Sequence, residues 1–122
     1  MMSILLVDDD DEFLAMLSKV LTHAGYKVQQ ASDGQQAIDL YRKHASDLVI
    51  TDLVMPEKEG IQLIVELRRL KGKVKIIAIS GAGQNQKGEY LKMAEVLGAQ
   101  RVLVKPFSEQ EILDAVNEVL KG

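Results

Sequence analysis

The chain has 122 residues, 47% of them apolar, with 15 basic against 18 acidic side chains and no cysteine. That length suits one domain able to bury roughly two-thirds of its unfolded surface, without disulfide or metal staples. The composition excludes thiol nucleophiles, thiolate zinc sites and iron–sulfur clusters. A net charge of −3 argues against electrostatic capture of nucleic acid. Two histidines, His23 and His44, cannot build a multi-histidine metal site. The longest apolar runs, Ile4–Val7 and Ile76–Ile79, are far short of the roughly 20 residues of a spanning helix. The N-terminus lacks the basic region of a signal peptide, so a soluble cytoplasmic protein is expected. Five of the acids stand consecutively at positions 8–12, which composition alone does not explain.

Short β-rich runs alternate with longer amphipathic stretches. Strands are predicted at Ile4–Val7, Val28–Ala31, Leu48–Thr51, Val74–Ile79 and Val102–Val104, with starts about 20–28 residues apart. Each interval holds one helix and two short loops. Runs apolar on both faces at this spacing imply right-handed βαβ crossovers and a parallel sheet covered on both sides. The first helix should bury Phe13, Met16, Leu17, Val20, Leu21 and Ala24 and stop at Gly25. Its apolar stripe is about 160° wide, with Leu14 and Met16 at the edges, so at least one of those two is expected to stay exposed. Ser32-Asp33-Gly34 reads as the cap of the second helix, and Leu63, Ile64, Leu67 and Leu70 as the stripe of the third. A fourth helix follows the loop-like segment 81–88. The last runs over Glu111–Lys121, with Ser108 and Glu111 forming a capping box.

In an open parallel sheet, functional groups gather beyond the carboxyl ends of the strands. Asp8 and Asp9 follow the first strand, Asp52 the third, Ser80 the fourth and Lys105-Pro106 the fifth. Two carboxylates about 4 Å apart repel by roughly 4 kcal/mol at an effective dielectric of 20. Either one carboxylate stays protonated or a cation neutralises them, and a hard divalent ion such as Mg²⁺ is the natural answer. Asp52 could then attack a phosphoryl group, with the lysine and the serine hydroxyl meeting its oxygens.

These residues make the chain resemble a response-regulator receiver domain. The carrying motifs are Ile4-Leu5-Leu6-Val7-Asp8-Asp9-Asp10, Asp52-Leu53-Val54-Met55-Pro56 with Gly60, Ile79-Ser80 and Val104-Lys105-Pro106-Phe107. The resemblance implies a single receiver domain over residues 1–122, with no output domain. Its fold would be flavodoxin-like, a doubly wound (βα)5 sheet of strand order 2-1-3-4-5. By the same resemblance, Asp52 is the phosphoacceptor and Mg²⁺ is bound by Asp9, Asp52 and the Val54 carbonyl, with Asp8 assisting through water. Ser80 and Lys105 would contact the phosphoryl oxygens. The phosphoryl donor would be a histidine kinase or histidine phosphotransfer protein, docking on a surface near Leu14, Met16 and Phe107. The family's lysine–proline bond is usually cis, an isomer found in about 5% of X-Pro bonds overall. The output is expected through protein contacts, without direct nucleic-acid or membrane binding.

Val102 stands where the family commonly carries an aromatic that swings inward as Ser80 is recruited, so the switch must take another form. A haloacid-dehalogenase-type phosphohydrolase is the alternative, since it also uses an aspartate nucleophile and Mg²⁺. However, the residues after Asp8 and Asp9 do not follow its Asp-x-Asp-x-Thr/Val pattern. A flavodoxin is disfavoured because the acidic run would repel a flavin phosphate. Arg68, Arg69, Lys71, Lys73 and Lys75 read as a solvated helix end and loop. Met16, Met55 and Met93 read as core filler.

Val54 and Ala82, two residues after Asp52 and Ser80, are apolar and cannot orient an attacking water. A phosphorylated chain should therefore keep its phosphoryl group for minutes or longer without a phosphatase. A quenched time course read by intact mass checks this; loss within seconds would contradict it.

Overall fold

Strands β1 (Ser3–Val7), β2 (Lys27–Ala31), β3 (Leu48–Asp52), β4 (Ile76–Ser80) and β5 (Arg101–Val104) form one parallel sheet in the order β2-β1-β3-β4-β5. The computed structural model describes residues 2–53, 60–81, 92 and 95–122. The start of the expected fourth helix, with Ala82, Gly83 and Met93, lies outside the described residues, as do Val54, Met55 and Pro56. Helices α1 (Asp11–His23), α2 (Gly34–Lys43), α3 (Gly60–Leu70) and α4 (Glu109–Lys121) complete the described elements. No helix among the described residues is long and apolar enough to cross a membrane.

The central strands β1, β3 and β4 are buried along their whole length, because helices cover both faces. Their side chains alternate with period two and so feed two separate cores. Leu5, Val7, Val49, Ile76 and Ala78 meet Ala37, Ile38, Leu63, Ile64 and Leu67 on the α2/α3 side. On the other side, Ile4, Leu6, Leu48, Ile50, Ile77 and Ile79 meet residues of α1 and α4. Each fully buried leucine or isoleucine contributes roughly 1.5–3 kcal/mol, so these layers fix the register of the sheet. β2 departs from the expectation of strands apolar on both faces. It lies at the sheet edge, and Lys27, Gln29 and Gln30 are exposed there. β4 begins two residues later than predicted and includes Ser80, with Val74 buried in the turn before it.

Asp10 caps α1 by accepting the Glu12 and Phe13 amides, and Gly25 follows its end at φ 102°. The buried stripe is Leu14, Leu17 and Leu21, rotated from the expected one. Met16 is 48% exposed and Ala24 is also exposed, so Met16 is not core filler. The stripe turns because α1 packs over β1 and β2 through the residues at i, i+3 and i+7. Asp33 caps α2, and Ser108 with Glu111 forms the predicted capping box on α4, which starts two residues earlier than expected. Leu63, Ile64 and Leu67 are buried on α3, whereas Leu70 is exposed at its end. Gly60 lets α3 begin against the backbone of β3. A Cβ there would lie 2.1 Å from the Asp52 carbonyl oxygen.

Arg68 corrects the reading of its basic cluster as a solvated end. Its guanidinium donates to the carbonyls of Leu97, Gly72, Val74 and Gly98. One planar donor group thereby ties the end of α3 to the turn before β4 and the turn before β5. Arg68→Met should destabilise the fold by about 2–4 kcal/mol, since several carbonyls lose a charged donor at once. Urea denaturation measures this; a change within experimental scatter would refute the clamp.

Candidate phosphoacceptor site

Strand register brings the acidic residues together. Val7 pairs with Thr51, so Asp8, one residue on, comes alongside Asp52 at the end of β3. Asp52 pairs with Ile79 and Ser80 with Val104, which carries Ser80 and Lys105 to the same edge of the sheet. Backbone bonds from Asp8 to Ala31 and from Lys105 to Ser80 hold the two outer ends. The Lys105–Pro106 bond is cis, the isomer the family resemblance implied.

The carboxylates of Asp8, Asp9 and Asp52 each place an oxygen within 4.8 Å of the others. Asp8 and Asp52 are 2% and 8% exposed, while Asp9 stands at the solvent side. Lys105 Nζ donates to Asp8 Oδ2 at 2.9 Å and lies 3.8 Å from Asp52 Oδ2. The Asp10 amide donates to Asp8 Oδ1 at 2.9 Å. Burial pushes the Asp8 carboxyl above the ordinary carboxylate range; the Asp10 amide and Lys105 draw it partly back, while the Asp9 charge adds to the rise. Ionised, three carboxyl groups with a single ammonium among them would carry an excess of negative charge. That excess, in an all-oxygen donor set, fits a hard divalent cation. The Ser80 hydroxyl is buried without a hydrogen-bond partner among the described residues, at the end of the same sheet.

Asp8, Asp9, Asp52 and Lys105, four of the residues predicted to share a site, thus lie together, and Ser80 reaches the same strand ends. Val54 lies outside the described residues. Val102 is half-buried against the α2/α3 core, paired with Ala78. Of the proposed docking residues, Met16 is exposed and Phe107 partly so. Leu14 must be removed from that set: it is 3% exposed, packed into the α1/α4 core, and its side chain cannot meet a partner. Sequence reasoning missed Phe13, whose ring lies 4.0 Å from Lys105 Nζ. It read only as a member of an apolar helix stripe, and nothing local connects positions 13 and 105.

A parallel sheet of this order with three carboxylates and a lysine at its carboxyl edge matches a known class of signalling domain. Residues 4–117 match the family of the response regulator receiver domain, and the chain belongs to it. It is a phosphorylation-activated response regulator. The chemotaxis protein CheY of Bacillus subtilis (strain 168) is 35% identical over 118 residues, 96% of each chain. Sporulation initiation phosphotransferase F of the same organism is 32% identical over 117 residues, 96% of this chain and 92% of that one. The crystal structure of a CheY-like receiver domain from Methanospirillum hungatei JF-1 superposes with a TM-score of 0.91 at 25% identity, covering 99% of this chain and 94% of that one. The phosphohydrolase alternative, which set its nucleophile after the first strand, has no support in these likenesses.

The folded chain holds the Asp8 proton more tightly than the unfolded chain does. Asp8 therefore favours folding fully below its unfolded pKa of about 3.9, and that contribution is lost as pH rises through its raised value. Asp8→Asn lacks this loss. In a chelator, the variant should gain on wild type in urea midpoint as pH rises from acid to neutral. A difference independent of pH would contradict the assignment.

Proposed function

We propose that Asp52 accepts a phosphoryl group from a phosphohistidine in a Mg²⁺-dependent step. The observation that carries this is the trio of carboxylates within 4.8 Å, with Lys105 Nζ at 2.9 Å from Asp8 and 3.8 Å from Asp52. An Asp52 Oδ attacks phosphorus as the P–N bond breaks. The bonding pair leaves with the imidazole, which takes up a proton from water. Lys105, already between two carboxylates, can turn from Asp8 toward a phosphoryl oxygen on Asp52. The Ser80 hydroxyl can donate to another; a buried unmade hydrogen bond costs about 1–3 kcal/mol, which favours that move.

Asp9, Asp52 and the Val54 carbonyl would hold Mg²⁺, with Asp8 acting through water. When bound, the ion supplies neutralising charge to the phosphoryl oxygens. The donor is a histidine kinase or histidine phosphotransfer protein, and Met16 and Phe107 belong to the face it meets. The message passes on by conformational change and protein contacts, in the cytoplasm and without direct binding to nucleic acid. The relative named as a phosphotransferase supports a place in a phosphorelay.

Incubation with phosphoramidate and Mg²⁺, followed by intact mass measurement, tests this reading. Wild type should gain one phosphoryl group; Asp52→Asn or a chelator should abolish the gain. An unmodified wild type would overturn the mechanism.

A further inference from the structure

Lys105 has a neighbour that the carboxylate chemistry does not account for. Its ammonium lies 4.0 Å from the centroid of the Phe13 ring. Phe107 meets that ring edge-on, with centroids 5.9 Å apart and planes at 83°. The ammonium is thus bounded by Asp8, by Asp52 and by an aromatic face. The segment that sets Asp8 also sets Phe13. The Asp10 amide binds Asp8 Oδ1, while the Asp10 side chain accepts the Phe13 amide. One short stretch therefore carries both the carboxylate and the ring that hold the lysine.

We propose that Phe13 is a positioning residue for Lys105, its ring face keeping the ammonium aimed at the cleft between Asp8 and Asp52, with Phe107 bracing the ring. This rests on the reading that Lys105 meets the phosphoryl oxygens. A lysine side chain is a flexible four-carbon stem with a strongly hydrated head. The Lys105 side chain keeps 24% of its surface exposed even beside buried Asp8, so without the ring more of its head would turn to water. The negative face of the ring attracts the cation, and its apolar body closes one side to solvent. The ammonium then stays within reach of both carboxylates before any phosphoryl group arrives. Leucine at position 13 would preserve the apolar packing of α1 while removing the ring face. Tyrosine would preserve both.

The test compares Phe13→Leu and Phe13→Tyr, alone and with Lys105→Gln, using phosphoramidate and Mg²⁺. Phe13→Leu should slow phosphorylation of Asp52 about three- to tenfold, and Phe13→Tyr should recover most of the lost rate. In the Lys105→Gln background Phe13→Leu should cost nothing further, because the ring has no cation to hold. By NMR without metal, the Lys105 ε-methylene protons should be shielded in wild type and Phe13→Tyr, and should move downfield in Phe13→Leu. Equal slowing with and without Lys105, or unshielded Lys105 protons in wild type, would overturn the proposal. A reactive wild type matched in rate by Phe13→Leu would overturn this inference and leave the phosphoacceptor reading standing. An unreactive wild type would overturn both.

Discussion

Three carboxylates lie within 4.8 Å of one another, two of them, Asp8 and Asp52, facing one lysine ammonium, and the architecture serves to keep that arrangement from flying apart. Ionised, the cluster favours unfolding, because water would solvate each charge separately. The fold answers with apolar strands buried on both faces directly beneath it. It also supplies a backbone amide from Asp10 to one oxygen of Asp8. The site is thus a place where local stability is given up, the trade common at functional sites.

Lys105 comes from the far side of the sheet, 97 residues from Asp8. Its position depends on a chain of register relations, β1 on β3, β3 on β4 and β4 on β5. A slip of one residue in any pair would send a whole strand's side chains to the wrong core. The two cores therefore do more than stabilise: they set the distance between an ammonium and two carboxylates. Arg68 works toward the same end from the opposite edge, tying α3 to the turns that launch β4 and β5. Gly60 admits α3 against the carbonyl of Asp52 itself, so the third helix bears directly on the backbone of that carboxylate.

The strands were legible because short runs apolar on both faces and bounded by polar residues have few other solutions; their boundaries erred by one residue where the end of a strand is polar, and by two at Val74, which is buried before β4 without joining it. Asp52 and Ser80 are strand residues for that reason, although each was expected just after its strand. Two caps were legible too, since Asp33 and Ser108 act on amides three residues away. The rotation of α1 was not. Leu14 and Met16 are both apolar and lie two residues apart, so only the partner surface decides which is buried. Arg68 was misread for a related cause: its acceptors are carbonyls, which every residue carries and no side-chain pattern reveals.

By itself the sequence determined the fold class and the chemical groups of the site, because strand ends and acidic residues are local features with restricted meanings. Only the tertiary structure decided which oxygen of Asp8 takes the lysine and which takes the Asp10 amide. It alone removed Leu14 from the surface and set Phe13 beneath the ammonium. The reason is physical: a contact between α1 and the loop after β5 depends on how the helices seat on a twisted sheet, and no spacing along the chain encodes that angle.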